Sequence, residues 1–303
     1  MSSSALYKPT AEIWDAEDLP YREFGKEDFR CSSCSVPLYP ASYRRDNKYS
    51  SYFRTGKIQH LSACQIPGYE KILADALIHS VSTPQGFPLP YPDTLRLGER
   101  LLPIGDEKTI VENERNQPAK KGTRPGSPGD GVRWHSHIAR TMRSLARHFL
   151  DFPYDRDLSL RIEEINDHTY KSVFKYLRFT GEPERFSGKH IFFGSVDKSP
   201  ARNGELLNIH LYRSKTVLAL KPIVTYEVRV QVSQWPSLDY SRLLNEIEEG
   251  RKARINSLNI PTNSQHYAWL FFLGEQDEKN PLRFFVEDYR LICCREGVWP
   301  FPH

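Results

Sequence analysis

Three of the five cysteines in this 303-residue chain fall between residues 31 and 64, in CSSCSVPLYPASYRRDNKYSSYFRTGKIQHLSAC. That clustering constrains the fold more than any other feature. A Cys-x-x-Cys turn offers two thiolates from one knuckle, and a tetrahedral site must draw a second pair from elsewhere in the chain. Cys31 and Cys34 form the first pair. His60 and Cys64, spaced i and i+4, would share one face of a helical turn and form the second. The 25 residues between Cys34 and His60 exceed the usual finger spacing, but a β-hairpin fits there, and the alternation in YSSYFRTGKIQ suits one. The alternative is that the cysteines are small buried side chains. A histidine at ligand spacing argues against it. The expectation is a structural Zn2+ site of Cys31, Cys34, His60 and Cys64. Four protein ligands leave no open position for a reacting water, so the ion would hold together a lobe too poor in apolar residues to fold alone.

The loop between the ligand pairs carries Arg44, Arg45, Lys48, Arg54 and Lys57, interleaved with Tyr39, Tyr43, Tyr49, Tyr52 and Phe53. Phosphates attract cations and unpaired bases stack on flat rings, so this mixture suits single-stranded or distorted DNA or RNA. A solvated hairpin whose tyrosines cover the metal lobe is the plainer reading, and many fingers bind protein instead. The stretch CSSC…YFRTGKIQHLSAC resembles the N-terminal zinc-binding module of competence protein CoiA-like proteins: a Cys-x-x-Cys knuckle, then an aromatic-led strand ending in His. In that family the module precedes a nuclease-like domain and is tied to DNA handling in bacteria. The resemblance implies roles only for Cys31, Cys34 and His60. Cys64 and everything after residue 80 fall outside it.

Net charge is only +4, but it is segregated: −3 over residues 1–30, +4 over 31–60, −3 over 61–107 and +6 over 108–150. Such asymmetry points to a polyanionic partner, and nucleic acid is the commonest one. The second basic block holds Lys120, Lys121, Arg124 and Arg133, then WHSHIARTMRSLARHFL (134–150). The latter reads as a helix with Ile138, Met142, Leu145 and Phe149 on one stripe and Arg140, Arg143 and Arg147 opposite. It contains no acid to pair with those arginines, which favours a phosphate contact over a solvated face. His135 and His137 point apart on such a helix and are expected at a wet surface. RSLARH (Arg143 to His148) resembles the Arg-x4-His motif of the HEPN ribonucleases. RFSGKH (Arg185 to His190) matches it equally, however, and that family is helical where this chain is strand-rich.

Residues 1–30 read as an acidic arm, 31–107 as the zinc-binding lobe with a proline-rich connection, and 108–133 as a basic linker or mobile loop. Residues 134–303 read as the basic helix plus an α+β domain. Its strand candidates are 170–179, 190–196, 206–213, 216–220, 225–235, 266–274 and 282–294. Tyr226, Val228, Val230 and Val232 alternate with Glu227, Arg229 and Gln231. A helix over 239–258 would be capped by Asp239 and turn Leu244, Ile247, Ile255 and Leu258 inward. One helix interrupting five strands resembles an oligonucleotide-binding barrel.

The start of the chain has no basic-then-apolar signal, and an odd cysteine count then suggests reduced thiols and a cytoplasmic protein. The longest apolar run, AWLFFLG, is too short to span a bilayer, so no membrane partner is expected. A metal-dependent nuclease would need an acid and a Glu-x-Lys strand. The nearest matches are Glu227 with Arg229, whose guanidinium cannot act as lysine might, and Asp277 with Lys279. No catalytic residue is expected, and Cys293 and Cys294 read as buried packing. The chain is expected to be a zinc-containing nucleic-acid-binding component of a bacterial DNA-processing or defence system, with a possible protein partner in a larger complex. The alternatives are a nuclease or its accessory subunit, and an adaptor that docks through the zinc lobe with Trp134, Trp235 or Trp299 as anchors.

Overall fold

The computed structural model describes residues 3–10, 12–44, 51–61, 64, 69–84, 86–97, 136–178, 182–196, 198–211, 225–261 and 265–298. Arg45, Lys48, Tyr49, Lys120, Lys121, Arg124, Arg133, His135, Trp134, Trp299 and the strand expected at 216–220 lie outside the described residues.

The N-terminal residues form structure rather than an arm. Strands β1 (Ser4–Tyr7), β2 (Glu12–Asp15), β3 (Phe29–Arg30), β4 (Pro37–Ala41) and β5 (Tyr52–Thr55) make one sheet in the order β2-β1-β3-β4-β5, every pair antiparallel. The hairpin expected between the ligand pairs is β4–β5. Alternation works here as it should: Ala5, Trp14, Phe29, Leu38 and Phe53 turn inward onto Cys31 and Cys64. A 3₁₀ turn, Ala16–Tyr21, follows β2 and carries Glu17 and Asp18 into full burial.

After a short helix α1 (Tyr69–Ala76), the proline-rich connection contains β6 (Tyr91–Leu95). It pairs in parallel with β7 (Ser136–Ala139) and β8 (Arg161–Ile162), and Phe87, Leu89, Tyr91 and Leu95 are buried. A division at residue 107 would therefore separate partner strands. The expected 134–150 helix is also two elements. β7 is extended, Thr141 stays extended at φ −141° and ψ 158°, and only then does α2 (Met142–Asp151) begin. Met142, Leu145 and Phe149 are buried as expected.

The remainder is α3 (Tyr170–Val173), β9 (Phe174–Tyr176), β10 (His190–Ser195), β11 (Ala201–Asn203), β12 (Leu206–His210), β13 (Glu227–Gln231), α4 (Ser237–Asn256), β14 (Tyr267–Gln276), β15 (Arg283–Val286) and β16 (Ile292–Gly297). The sheet runs β11-β12-β13-β15-β14-β10-β9, with β16 also on β14. A single bridge between Val196 and Leu211 joins the ends of β10 and β12. Strands β10, β12, β13, β15 and β14 thus come round on themselves, with α4 between the third and fourth in sequence. This is the α+β class expected, with the five-strand, one-helix pattern of the barrel reading inside it. The expected 282–294 strand divides because β15 and β16 pair with opposite ends of β14, and a 3₁₀ turn at Tyr289–Leu291 makes the step between them.

Sheet alternation builds two cores on the two faces of β14. Tyr267, Trp269 and Phe271 join α2 and β6 on one side, while Ala268, Leu270 and Phe272 join α4 and the barrel interior on the other. Helix α4 starts earlier than expected, after Pro236, with Asp239 buried in its first turn. It buries Leu243, Ile247 and Gly250, but Ile255 and Leu258 are 60% and 53% exposed, against expectation. No described helix is long and apolar enough to cross a membrane.

Candidate metal centre and the basic residues

The knuckle begins where β3 ends. Cys31 N–H donates to the Val36 carbonyl at 2.8 Å, and Ser35 N–H donates to the Cys31 carbonyl at 2.9 Å, with Ser35 in the left-handed region at φ 57°. This tight turn aims Cys31 and Cys34 at the same point. The second pair follows β5. Cys64 N–H donates to the Leu61 carbonyl at 2.9 Å, so His60 and Cys64 meet through a turn. Cys31 Sγ lies 3.6 Å from Cys64 Sγ, and His60 Nδ1 lies 3.3 Å from Cys34 Sγ and 3.4 Å from Cys64 Sγ. All four ligand atoms fall within 4.8 Å of one another, a group that could hold a metal ion. Burial pushes the Cys31 thiol up to about 12. At Cys34 burial acts the same way but is outweighed by the Val36 N–H, His60 and the Leu61 N–H, which bring it down to about 6.

The hairpin beside this centre presents Arg44, Arg54 and Lys57 to solvent, with Tyr52 half-buried and Tyr39 37% exposed. None of the three cations makes an ion pair among the described residues. Ile58 and Leu61 flank His60 and are 61% and 58% exposed.

The second basic group is placed differently. Arg143 is 1% exposed and makes a two-pronged pair with Glu246 of α4, Nε to Oε1 at 2.9 Å and Nη2 to Oε2 at 3.3 Å. Arg147 Nη2 donates to Glu17 Oε1, and Arg140 is half-buried, its backbone N–H on Asp18 Oδ2 at 3.0 Å. The expectation that Arg143 and Arg147 face phosphates across a free helix surface is corrected: their acids come from α4 and from the N-terminal turn, while the Arg140 guanidinium donates to the Arg96 carbonyl at 3.3 Å. From the acidic first thirty residues, Glu17 supplies the counter-charge of Arg147, while Asp15 pairs with His137 and Asp18 with Arg22. Likewise His137 is not at a wet surface. It is buried on β7 with Nε2 2.6 Å from Asp15 Oδ2, and although burial disfavours its charge, that carboxylate raises its pKa.

His148, the second member of the Arg-x4-His match, packs against Phe87, Tyr91, Phe152 and Tyr170. Burial, then the charge of His137, brings its pKa down to about 3, so it is neutral at ordinary pH. The nuclease candidates are occupied as well. Glu227 Oε2 accepts from Arg229 at 3.1 Å and Arg283 at 3.2 Å, and Asp277 Oδ1 caps the N–H groups of Lys279 and Asn280. Trp235 is half-buried with its indole N–H on the Glu287 carbonyl. Sequence reasoning missed Arg242 and Arg295, which reach Glu17 from α4 and β16. No family of known proteins, no curated protein and no solved structure matches the chain.

Proposed function

We propose that the protein binds single-stranded or distorted nucleic acid through its N-terminal lobe, and that the lobe is held by a structural Zn2+ ion. The observation that carries the reading is the hairpin: Arg44, Arg54 and Lys57 are exposed beside the four-ligand group and lack ion-pair partners among the described residues. Cations left without internal partners are the ones free to neutralise phosphates. For the metal, three thiolates and an imidazole suit zinc by softness, and ligand bonds of about 2.0–2.3 Å set tetrahedral edges of roughly 3.4–3.8 Å. The separations of 3.3, 3.4 and 3.6 Å fall near that range. Four protein donors argue for a structural ion, consistent with a reading in which the chain binds and does not cut.

A second reading has its own observation. Ile58 and Leu61 are both exposed apolar side chains of the lobe, as an adaptor docking on protein would need. Titration of the metal-loaded protein with labelled DNA and RNA at two salt concentrations separates the two. Binding that weakens steeply with salt, and that is lost in Arg54→Glu with Lys57→Glu, supports the nucleic-acid reading. Binding absent at both salts would overturn it and leave the adaptor, and magnesium-dependent cleavage of the probe would establish a nuclease instead.

A further inference from the structure

We propose that the seam between the N-terminal turn and β7 is a pH-dependent latch, tight in mild acid and loosened as pH rises. Two buried carboxyls, Asp15 at the end of β2 and Asp18 in the 3₁₀ turn behind it, both plug into the chain at 137–141. Asp15 Oδ2 lies 2.6 Å from His137 Nε2. Asp18 Oδ2 accepts the Arg140 N–H at 3.0 Å, and Oδ1 takes the Thr141 hydroxyl at 3.1 Å. Just past the turn, Arg22 Nη2 donates to the Ile138 carbonyl at 3.5 Å and lies 3.8 Å from Asp18 Oδ2. Apart from the Arg22 bond to Ile138, each of these contacts has at one end a group whose charge changes with pH. β2 belongs to the sheet that carries the metal centre, so a looser seam gives that lobe more freedom relative to β7. Glu17 also ties the turn to Arg147, Arg242 and Arg295, so what loosens is the β7 side of it.

Two carboxylates in one dry seam repel each other, so ionising the second carries a cost. The other groups that face them are Glu12 of β2, Arg140 after β7, Arg147 and His148 of α2, and Asp93 of β6. The phenols of Tyr69 in α1 and Tyr170 in α3 also face Asp15, and its charge together with burial keeps both protonated. Arg147 is on Glu17, Asp93 is on Arg161, and His148 is neutral. Burial, then the charge of Asp15, raises the Asp18 carboxyl to about 6. Protonated, Asp18 keeps both of its bonds, because the Thr141 hydroxyl can accept as readily as donate. Asp15 goes the other way: burial raises it, but the charge and hydrogen bond of His137 outweigh this and hold it low. The same pair raises His137 against burial. His137 Nδ1 has no hydrogen-bond partner among the described residues, so the imidazolium is gripped from one side only. The contribution of Asp18 is complete below its ordinary 3.8 and is lost as pH rises through about 6. That of His137 is complete below 6.5 and is lost as pH rises through its raised value, whereas Asp15 lets go only in stronger acid.

The test uses the full chain with its metal bound, and metal content is measured at each pH so that loss of the ion is not mistaken for opening of the seam. Hydrogen-exchange protection factors, corrected for the intrinsic pH dependence of exchange, are followed in β2 and β7 between about pH 5 and pH 8, with β13 as internal reference. Protection in β2 and β7 is expected to fall about tenfold over that range relative to β13. Asp18→Asn removes the titrating carboxyl, and its amide can still accept the Arg140 N–H and donate to Thr141. This variant should flatten most of the fall and bring protection in β7 at the alkaline end close to what wild type shows in acid. Removing a charge would thus tighten the seam, the reverse of what loss of an ordinary ion pair does. A chain that binds no DNA or RNA would leave this result untouched. Equal protection in wild type at the two ends of the range would overturn the proposal. So would an Asp18→Asn chain that is less protected than wild type at the alkaline end, or that does not fold.

Discussion

Glu17 has no exposed surface and three guanidinium neighbours. A carboxylate so placed contributes through what its removal would leave behind: three crowded guanidiniums that lose the one carboxylate they share. Glu17→Gln is therefore expected to cost about 3–5 kcal/mol in a denaturant melt, far more than loss of any exposed pair. His148 gives the opposite kind of test, since its environment rejects charge. Its folded pKa of about 3 lies below the ordinary 6.5, so the contribution is complete above pH 6.5 and is lost as pH falls from there toward 3. Expected is a decline of about 1.4 kcal/mol per pH unit over that window, flattened in His148→Phe, and a histidine NMR signal that does not titrate between pH 5 and 8. The metal ligands were legible in the sequence because each pair lies within five residues and the chemistry fixes the types. The arginine partners were not. Glu17 lies 130 residues from Arg147 and 225 from Arg242, and a charge pattern does not say which acid folds onto which base.

Among elements, β13 shows what alternation can deliver: Val228 and Val230 are buried, and Glu227, Arg229 and Gln231 face out, as read from sequence. The 134–150 segment shows the limit. Helical spacing of Ile138 with Met142, Leu145 and Phe149 was satisfied, but the first of these belongs to a strand that pairs with β6, and pairing over forty residues away leaves no local signal. Helix α4 adds a further rule of contact. A Cβ at Gly250 would lie 2.8 Å from the Ala268 Cβ and 3.0 Å from its Cα, so the helix rests directly on β14 there. Gly250→Ala should destabilise by about 1–3 kcal/mol from overpacking, outweighing the roughly 1 kcal/mol that alanine gains in a helix. Chemical denaturation would check it, and a gain in stability would mean that the two elements can move apart freely.

Across the whole molecule, the lobe and the rest differ in what holds them. The lobe core is small, and Cys31 and Cys64 are part of it. A chelator is expected to release one ion per chain and to abolish hydrogen-exchange protection in β3, β4 and β5, while β10 and β14 keep theirs. Cys34→Ser should reproduce this. Protection that survives loss of the ion would rule out a structural role for it. In the remainder, β14 is a wall with a furnished room on either side: Trp269 and Phe271 in one, Leu270 and Phe272 in the other. A trimmed chain that discards either half would leave one side of that wall open to water. The residues after 134 are thus not a detachable module, and any working fragment must bring the strand at 91–95 along with them.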